Sequence, residues 1–260
     1  YKNILGSDNM NNIKKITIAL ISILIIIPLM GIGYIYFKLN SIYDKEEAKQ
    51  INATEDSERN KANGVTNILL VGVDGNNMEK GNRSDAMMIA TIDEKNNDIR
   101  ITSLARDTYV DIEGYGTEKL THAYAYEGAS LLISTIKNNF GIDVDKYIAV
   151  SFESFEKIID ILGGVEINVS EKEVSQINGV NNSGIQTLNG SQALAYSRIR
   201  YIDSAYERDN RQRTVIEALY NKFANGSSGN IMDIANEVLR YTKTNMAPLE
   251  IISIANKAIK

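Results

Sequence analysis

The hydrophobic pattern changes repeatedly between residue 65 and the C-terminus, and each pattern predicts one kind of element. Apolar runs rich in β-branched residues and bounded by turn residues predict strands, at 67–74, 86–93, 98–105, 147–151 and 165–170. Apolar residues at helical spacing predict helices, at 128–141, 152–164, 189–199, 209–224, 229–242 and 246–259. Strands that alternate with helices favour an α/β domain in which helices cover a central sheet.

An uncharged segment precedes this domain. Residues 16–37 read ITIALISILIIIPLMGIGYIYF, and as a helix they would span about 33 Å, enough for a hydrocarbon core of about 30 Å. Lys14 and Lys15 lie just before the segment, whereas Lys38 stands alone after it and is followed by the acidic DKEEAK. The positive-inside rule therefore predicts a single-pass membrane protein with its N-terminus in the cytoplasm.

The alternative for this segment is a cleaved signal peptide. Such a peptide would have a shorter apolar region and a small-residue cleavage site, and no A-x-A-like sequence follows here, so we favour an uncleaved anchor. We therefore expect a cytoplasmic N-terminus, a transmembrane anchor, a polar extracellular stalk and an extracellular catalytic domain, at 1–15, 16–37, 38–64 and 65–260.

The amino-acid composition excludes several kinds of functional site. The 260 residues include no cysteine and one histidine, His122, and the net charge is −5. A disulfide framework and a zinc-thiolate site are excluded, and the acidic balance argues against nucleic-acid binding. No serine lies in a sequence that resembles a nucleophile elbow, so we expect His122 to be an ordinary hydrogen-bonded or exposed side chain. Catalysis would then depend on Arg, Asp, Glu and a hard cation.

Charged residues lie at the ends of the first three predicted strands. They are Asp74, Arg83, Asp85, Arg106 and Asp107. Ligands of α/β sheets bind in the crevice at strand ends, which makes these side chains candidates by position. Asp74 and Asp85 could together hold Mg²⁺, which prefers few carboxylates combined with waters and phosphates. The alternative is that they serve turns and caps.

Half of the chain's ten arginines lie in the stretch RIRYIDSAYERDNRQR, residues 198–213. Guanidinium groups form bidentate contacts with phosphate and stay charged, so the stretch indicates a diphosphate site. In a helix Arg208 and Gln212 would be one turn apart, with Arg211 off that face. The alternative is a solvated helix start in which Asp203, Glu207 and Asp209 form surface ion pairs with the arginines.

Five sequence motifs occur in one order behind the single anchor: GNRSDAMM, SLARDTYV, DILGGVEINV, GIQTLNGSQALAYSRIR and ERDNRQR. Together they resemble the LytR-CpsA-Psr family from about Asn67 to the C-terminus. The resemblance implies an α-β-α layered domain with a central mixed sheet and a hydrophobic pocket for a prenyl chain. It also implies a membrane-anchored extracellular phosphotransferase that moves a glycopolymer, as its sugar-1-phosphate, from a polyprenyl pyrophosphate carrier to peptidoglycan, as in the attachment of teichoic acid or capsular polysaccharide in Gram-positive-type envelopes.

The resemblance also implies roles for individual residues. Asp74 and Asp85 match the family's ligands for Mg²⁺, with Mn²⁺ as the substitute ion. The residues that match the pyrophosphate site are Arg83, Arg106, Arg198, Arg200, Arg208 and Gln212. Arg83 and Arg106 also match catalytic positions, and Asp107 and Asp203 are the candidate general bases.

The chain departs from the family's pattern in two places. The family usually has Pro before the Arg-Asp pair, where this chain has Ala105, and it often has Asp-x-Asp where this chain reads Asp203-Ser204-Ala205. The departure at Ala205 keeps open a non-catalytic regulator that binds lipid or wall. A polyprenyl-pyrophosphate-glycan hydrolase also stays open, because it would use the same site residues with water as the acceptor. For the transferase, we expect the prenyl tail to lie between the sheet and the Ile/Leu-rich helices 128–141 and 152–162.

Overall fold

The computed structural model describes residues 33–53, 64–224 and 238–258. The chain forms two units, which divide after Ser41. In the first unit, residues 33–41 are helical. Within the described ranges, no helix has both the length and the apolar character that crossing a bilayer requires, and most of the predicted anchor, 16–37, lies outside them.

The second unit contains the predicted alternation of strands and helices. Its strands are β1 (Val65–Val73), β2 (Ser84–Asp93), β3 (Asp98–Ser103), β4 (Tyr109–Ile112), β5 (Gly116–Lys119), β6 (Lys146–Ser151), β7 (Val165–Val169), β8 (Gly184–Leu188) and β9 (Lys243–Thr244). Its helices are α1 (Lys45–Ala53), α2 (Leu120–Glu127), α3 (Ala129–Phe140), α4 (Phe152–Ile161), α5 (Glu171–Val174), α6 (Gly190–Ser197), α7 (Ala205–Ala224) and α8 (Pro248–Ala258).

A mixed sheet of five strands forms the centre, in the order β3-β2-β1-β6-β9. β1 pairs antiparallel with β2. It pairs parallel with β6, which requires the chain to cross over between these two strands. Two hairpins, β4-β5 and β7-β8, lie outside this sheet. The predicted central mixed sheet is confirmed.

One face of the sheet carries the larger hydrophobic core. Alternate residues of β1, such as Leu69 and Val71, pack here with Leu132 and Ile136 of α3. The apolar spacing of α3 places its buried residues on this face, and Gly141 ends the helix in a left-handed conformation. Helix α3 therefore belongs to this core.

The opposite side of the sheet carries α4, α6 and α7 and a second core. In this core Ile159 of α4, Tyr196 of α6 and Val215 of α7 pack with apolar residues of the β7-β8 hairpin such as Val165 and Leu188. Helix α4 packs on α6, and α6 packs on α7. With α3 on one side and these helices on the other, the domain has the expected α-β-α layers.

The folded unit begins earlier than the sequence predicts. Within the polar segment 38–64, which was expected to be a stalk, helix α1 packs on α3. Ile51 is buried in the larger core, and Glu47 accepts a hydrogen bond from Ser130 N at 2.8 Å. These contacts correct the predicted start at Val65. The unit begins at Ile42, where Thr244 N donates to Ile42 O at 3.0 Å and Asp44 N donates to Thr244 O at 2.8 Å.

Candidate active site

A cavity of about 190 Å³ lies between the sheet and helices α4, α6 and α7. Most of its lining is apolar, and the sheet supplies one wall through residues of β1, β2 and β6. The apolar lining comprises Leu70, Val71, Gly72, Ala86, Met88, Ile148, Val150, Phe152, Phe155, Ile158, Leu194, Val215, Ile216 and Leu219. Helix α4 lines this cavity as expected, whereas α3 does not, because its apolar face packs in the larger core on the other face of the sheet.

Small residues widen the cavity where β1 meets β2. Gly72 pairs with Ala86 across the two strands, and both line the cavity. A Cβ atom at Gly72 would lie 3.1 Å from the Cβ atom of Ala86, which is a crowded contact. Larger side chains at either position would fill space that is now open, so this pair helps to set the cavity volume. Neither residue was singled out from the sequence.

Polar and charged residues line the rest of the cavity. They are Asp85, Ser151, Ser197, Arg198, Arg200, Arg208 and Gln212. The structure therefore brings together three of the predicted diphosphate arginines, the predicted Gln212 and one of the two predicted metal carboxylates. An apolar cavity with a cationic cluster is suited to a ligand that has an apolar chain and an anionic head group.

Helix α6 positions Arg198. Asn189 and Gln192 form a capping box at the start of the helix. Gly190 permits the close approach of α6 to α4, since a Cβ atom there would lie 2.2 Å from the carbonyl oxygen of Glu156. Arg198 follows the last turn, and its guanidinium lies 4.6 Å from the ring centre of Phe152. The ring thus holds the arginine without neutralising its charge.

Arg208 lies in the first turns of α7 and is almost fully buried, with a side chain that is 11% exposed. Its Nη2 donates to Asp209 Oδ1 at 3.2 Å, but its buried Nε has no hydrogen-bond partner. An unpaired donor costs free energy when it is buried. A phosphate oxygen in the cavity would satisfy this donor.

Arg106 lies beside Asp85 and pairs with it. It follows Ala105 in a turn that Thr108 closes by donating from its backbone N to Ala105 O at 3.1 Å, so an ordinary turn forms where the family usually has proline. Arg106 Nε lies 3.5 Å from Asp107 Oδ2 but is buried without a properly formed hydrogen bond. The neighbourhood of Asp85 thus contains a second unsatisfied arginine donor.

Asp107 is half exposed and lies next to this pair. Lys119 Nζ donates to Asp107 Oδ1 at 2.9 Å. This hydrogen bond, together with the nearby positive charges, holds the pKa of Asp107 below its ordinary value. The carboxylate is therefore ionised at neutral pH, as a proton acceptor must be. Asp107 does not line the cavity itself.

Asp74 and Arg83 lie at the ends of neighbouring strands. Asp74 N donates to Arg83 O at 2.8 Å, and their side chains form an ion pair at 3.5 Å in which both groups are partly exposed. Neither residue lines the cavity. Within the described ranges no three acidic or histidine side chains cluster as metal ligands. Asp74 and Asp85 lie at adjacent strand ends, and each is paired with an arginine. Carboxylates are the donor type that Mg²⁺ combines with water and phosphate.

Arg211 and Asp203 form a separate cluster. Arg211 Nε donates to Glu173 Oε1 at 2.6 Å, and its terminal nitrogens donate to both oxygens of Asp203. Asp203 does not line the cavity, and Ser204 follows it as the cap of α7, accepting from Glu207 N at 3.4 Å. The structure therefore gives Asp203 a partner in the fold and does not place it with the other site residues.

His122 makes local contacts, as expected for an ordinary histidine. Its Nδ1 contacts Oε2 of Glu118, which lies four residues earlier in β5, and Tyr126 donates to the same carboxylate oxygen at 3.2 Å. These contacts lower the pKa of Glu118, with the hydrogen bond to His122 as the largest cause. The cluster contains no serine or cysteine nucleophile, so its geometry offers no catalytic triad.

Comparison with known proteins shows which family has this sequence pattern. The chain matches the LytR_cpsA_psr family over residues 33–260. The chain belongs to this family. The match includes the cavity, all the arginines described above, and the part of the predicted stalk that is folded.

Several relatives of known name are similar over most of their length. The chain is 34% identical over 245 residues to the polyisoprenyl-teichoic acid–peptidoglycan teichoic acid transferase TagU of Bacillus subtilis, covering 90% of this chain and 79% of that protein. It is 33% identical over 246 residues to the enzyme of the same name from Enterococcus faecalis, covering 90% of this chain and 80% of the relative.

Solved structures of the family have the same fold. TagT bound to LIIa-WTA superposes with a TM-score of 0.67 at 30% identity, covering 80% of this chain and 82% of TagT. A structure described as YwtF (TagT) with bound octaprenyl pyrophosphate lipid superposes with a TM-score of 0.61 at 30% identity, covering 78% of each chain. Similar folds thus occur with a prenyl pyrophosphate bound.

Proposed function

We propose that this chain transfers a glycopolymer, as its sugar-1-phosphate, from a polyprenyl pyrophosphate carrier to peptidoglycan. The observation that carries the proposal is the apolar cavity whose polar lining contains Arg198, Arg200 and Arg208, with an unsatisfied buried donor on Arg208. Relatives named as teichoic acid transferases support the reaction. The TagT structure with octaprenyl pyrophosphate supports the carrier class.

The cavity would hold part of the prenyl tail. Each buried CH₂ group favours binding by about 0.8 kcal/mol, so a few isoprene units supply substantial affinity without specific contacts. The predicted anchor at 16–37 supports a location at the outer face of the cell membrane, where a lipid-linked donor would reach the cavity from the bilayer. The membrane helix and the extracellular domain are part of the proposal.

The arginines would bind the diphosphate. Arg208 Nε and Arg106 Nε are buried without hydrogen-bond partners and can donate to phosphate oxygens in charge-assisted hydrogen bonds. Asp74 and Asp85 would hold Mg²⁺ or Mn²⁺, and the ion would neutralise part of the diphosphate charge. Fixed positive groups of this kind stabilise the charge that develops on a departing phosphate.

The reaction would be a displacement at the phosphorus atom that carries the glycan. A sugar hydroxyl of peptidoglycan forms a new P–O bond, the P–O bond of the diphosphate breaks, and polyprenyl phosphate leaves. Asp107 is the better candidate to accept the hydroxyl proton, because it is ionised, partly exposed and in contact with Arg106. Asp203 accepts hydrogen bonds from Arg211 at both of its carboxylate oxygens, which leaves it less free to accept a proton.

The test is a transfer assay with the full chain in detergent, an octaprenyl-pyrophosphate disaccharide and uncrosslinked peptidoglycan. We expect a phosphodiester-linked product with Mg²⁺ and none with EDTA. Asp107→Asn should lower kcat by about 10²–10⁴, as for loss of a general base, without changing KM for the donor. Asp111→Asn, an exposed carboxylate of β4, is the matched control and should retain activity.

Three results would contradict parts of this account. Release of free sugar phosphate without any transfer would indicate the hydrolase. Equal product with Mg²⁺ and EDTA would remove the metal from the proposal. Normal kcat in Asp107→Asn would exclude this carboxylate as the base.

A further inference from the structure

A groove of about 760 Å³ lies between strand β3 and helix α7; we call it the edge groove. β3 is the first strand in the order of the central sheet, and within the described ranges it pairs only with β2. The end of β2 and the length of β3 supply one wall of the groove, and α7 supplies the other. The groove therefore runs along the edge of the sheet.

One side of α7 borders the edge groove. The groove is lined on this side by Asn210, Arg213, Glu217 and Tyr220. They recur at intervals of three or four residues, which places them on the same side of the helix. Val215, in contrast, packs in the second core. The ring of Tyr220 is 59% exposed, so packing inside the domain does not account for it, and this side of α7 is available to a ligand.

The edge groove combines apolar and acidic groups. Ile99 and Ile101 of β3 supply apolar surface. The charged side chains of the lining are four carboxylates and one guanidinium, on Asp93, Glu94, Asp98, Glu217 and Arg213. A ligand that carries small apolar side chains and an ammonium group complements this lining in both shape and charge.

Glu217 is the carboxylate that is best placed to meet such a ligand. Asp98 pairs with Arg100 at 2.6 Å, Asp93 accepts hydrogen bonds from the backbone of the turn that follows it, and Glu94 also has an interaction within the protein. Glu217 is exposed, and no ion pair joins it to another of the described residues. Tyr220 lies one helical turn after it on the same side of α7.

The edge groove is continuous with the candidate active site. Arg213 Nη1 donates to Ser103 Oγ, at the end of β3, at 2.8 Å, and Arg106 and Asp107 follow Ser103 within four residues. Ile216 lines both the groove and the apolar cavity. The six residues of β3 extend about 20 Å at about 3.3 Å per residue, which is the length of a peptide of about five residues.

We propose that the edge groove binds the stem peptide of the peptidoglycan acceptor, with Glu217 beside the ammonium group of its diamino acid and Tyr220 against the aliphatic part of that side chain. The inference rests on the proposed function, because the peptide is joined to the glycan whose hydroxyl would attack the phosphorus. Ile99 and Ile101 would contact the methyl groups of the peptide's alanines. The groove would thereby hold the acceptor while its sugar lies near Asp107.

The test uses the transfer assay with the full chain in detergent, an octaprenyl-pyrophosphate disaccharide and two soluble uncrosslinked peptidoglycan acceptors. The first acceptor has free ammonium groups on its stem peptides, and in the second these groups are N-acetylated. We expect the unaltered protein to use the first acceptor about fivefold better, measured as kcat/KM for the acceptor, as for one exposed ion pair. KM for the donor should be the same with both.

Two variants show whether the preference arises in the edge groove. Glu217→Gln should lower kcat/KM for the first acceptor about fivefold and leave the second unchanged, so that the preference disappears. Glu166→Gln, an exposed glutamate of β7 that does not line the groove, is the matched control and should keep the preference. Because Glu217 is exposed, neither substitution should change Tm.

The ring of Tyr220 is tested separately. Tyr220→Ala should lower kcat/KM for both acceptors about threefold, because the contact with the aliphatic side chain does not depend on the charge of the ammonium group. Tyr220→Phe keeps the ring and should keep the activity of the unaltered protein with both acceptors.

The outcomes separate this inference from the proposed function. If the unaltered protein makes product equally well from both acceptors, or if Glu217→Gln keeps the preference, the edge groove does not bind the stem peptide although the transferase proposal stands. If the unaltered protein makes no product from either acceptor, the transferase proposal itself fails, and the edge groove fails with it.

Discussion

Two arginines of helix α7, three residues apart, show how one sequence cluster serves two purposes. Arg211 is 5% exposed and bonds to two carboxylates, Glu173 and Asp203. Arg208 is also buried, but it has one neighbouring carboxylate, Asp209, and an Nε without a partner. Arg211 faces the packed side of the domain, whereas Arg208 lines the cavity.

The difference lies in the number of protein carboxylates that each guanidinium meets. Burying a charge is costly unless a partner compensates it, and Arg211 is compensated within the fold. Arg208 is only partly compensated, so an anionic ligand can complete its hydrogen bonds. The ion-pair alternative for the arginine-rich stretch is therefore partly correct, because Arg211 forms ion pairs, although these are buried and not on the surface. The diphosphate site stays a prediction, for which Arg208 keeps an unpartnered Nε.

Removal of Arg211 should have the largest effect on stability. Arg211→Ala leaves Glu173 buried without its partner, and breaking a buried pair in this way costs about 3–5 kcal/mol. Arg213→Ala is the matched control from the same helix. Arg213 donates to the neutral groups of Ser103 and Asn210, so its loss should cost only about 1 kcal/mol. Chemical denaturation of both variants measures these costs. Equal losses would contradict the structural role given to Arg211.

A smaller effect should appear as a dependence of stability on pH. Burial raises the pKa of Glu173, but the hydrogen bonds from Arg211 and from Ser170 together lower it by more than burial raises it. The pKa of Glu173 therefore lies below its ordinary value of 4.5. A lowered folded-state pKa stabilises the fold above the unfolded value. The contribution of Glu173 is therefore complete above pH 4.5 and is lost as the pH falls through its folded pKa.

Glu173→Gln should remove this contribution while keeping the capping box, which accepts Gln as well as Glu. We expect the stability advantage of the unaltered protein over the variant to shrink as the pH falls below 4.5. Glu171→Gln, an exposed neighbour, should show no such change. Denaturation midpoints measured across this range provide the test, and a constant difference between the unaltered protein and Glu173→Gln would contradict the account.

The sequence was sufficient for the main sheet and its helices because their patterns are local. The strands predicted at 86–93 and 147–151 differ from β2 and β6 by one or two residues. The packing of helix α1 on the domain was not predicted, because its composition is polar and its place depends on contacts with α3 that are distant in sequence. Strand β9 has only two residues and exists through its pairing with β6, for which the sequence gives no local signal.

The site was predictable in part for a similar reason. Segregated arginines and strand-end carboxylates are visible in the sequence, and Arg198, Arg200, Arg208 and Gln212 do meet at one cavity. The partners of each charged group depend on the tertiary fold, which is why the pairing of Asp203 with Arg211 could not be read from the sequence.

The central claim is that the arginines of the cavity bind the diphosphate. Its most direct test is to measure the affinity for octaprenyl pyrophosphate of the unaltered full chain and of Arg208→Ala in the same detergent. The account predicts that Arg208→Ala weakens binding by about 30-fold, as for the loss of a charge-assisted hydrogen bond of about 2 kcal/mol. Arg213→Ala, which does not line the cavity, should bind within about twofold of the unaltered protein, a difference of less than 1 kcal/mol. Equal affinity of Arg208→Ala and the unaltered protein would show that the diphosphate does not bind at these arginines.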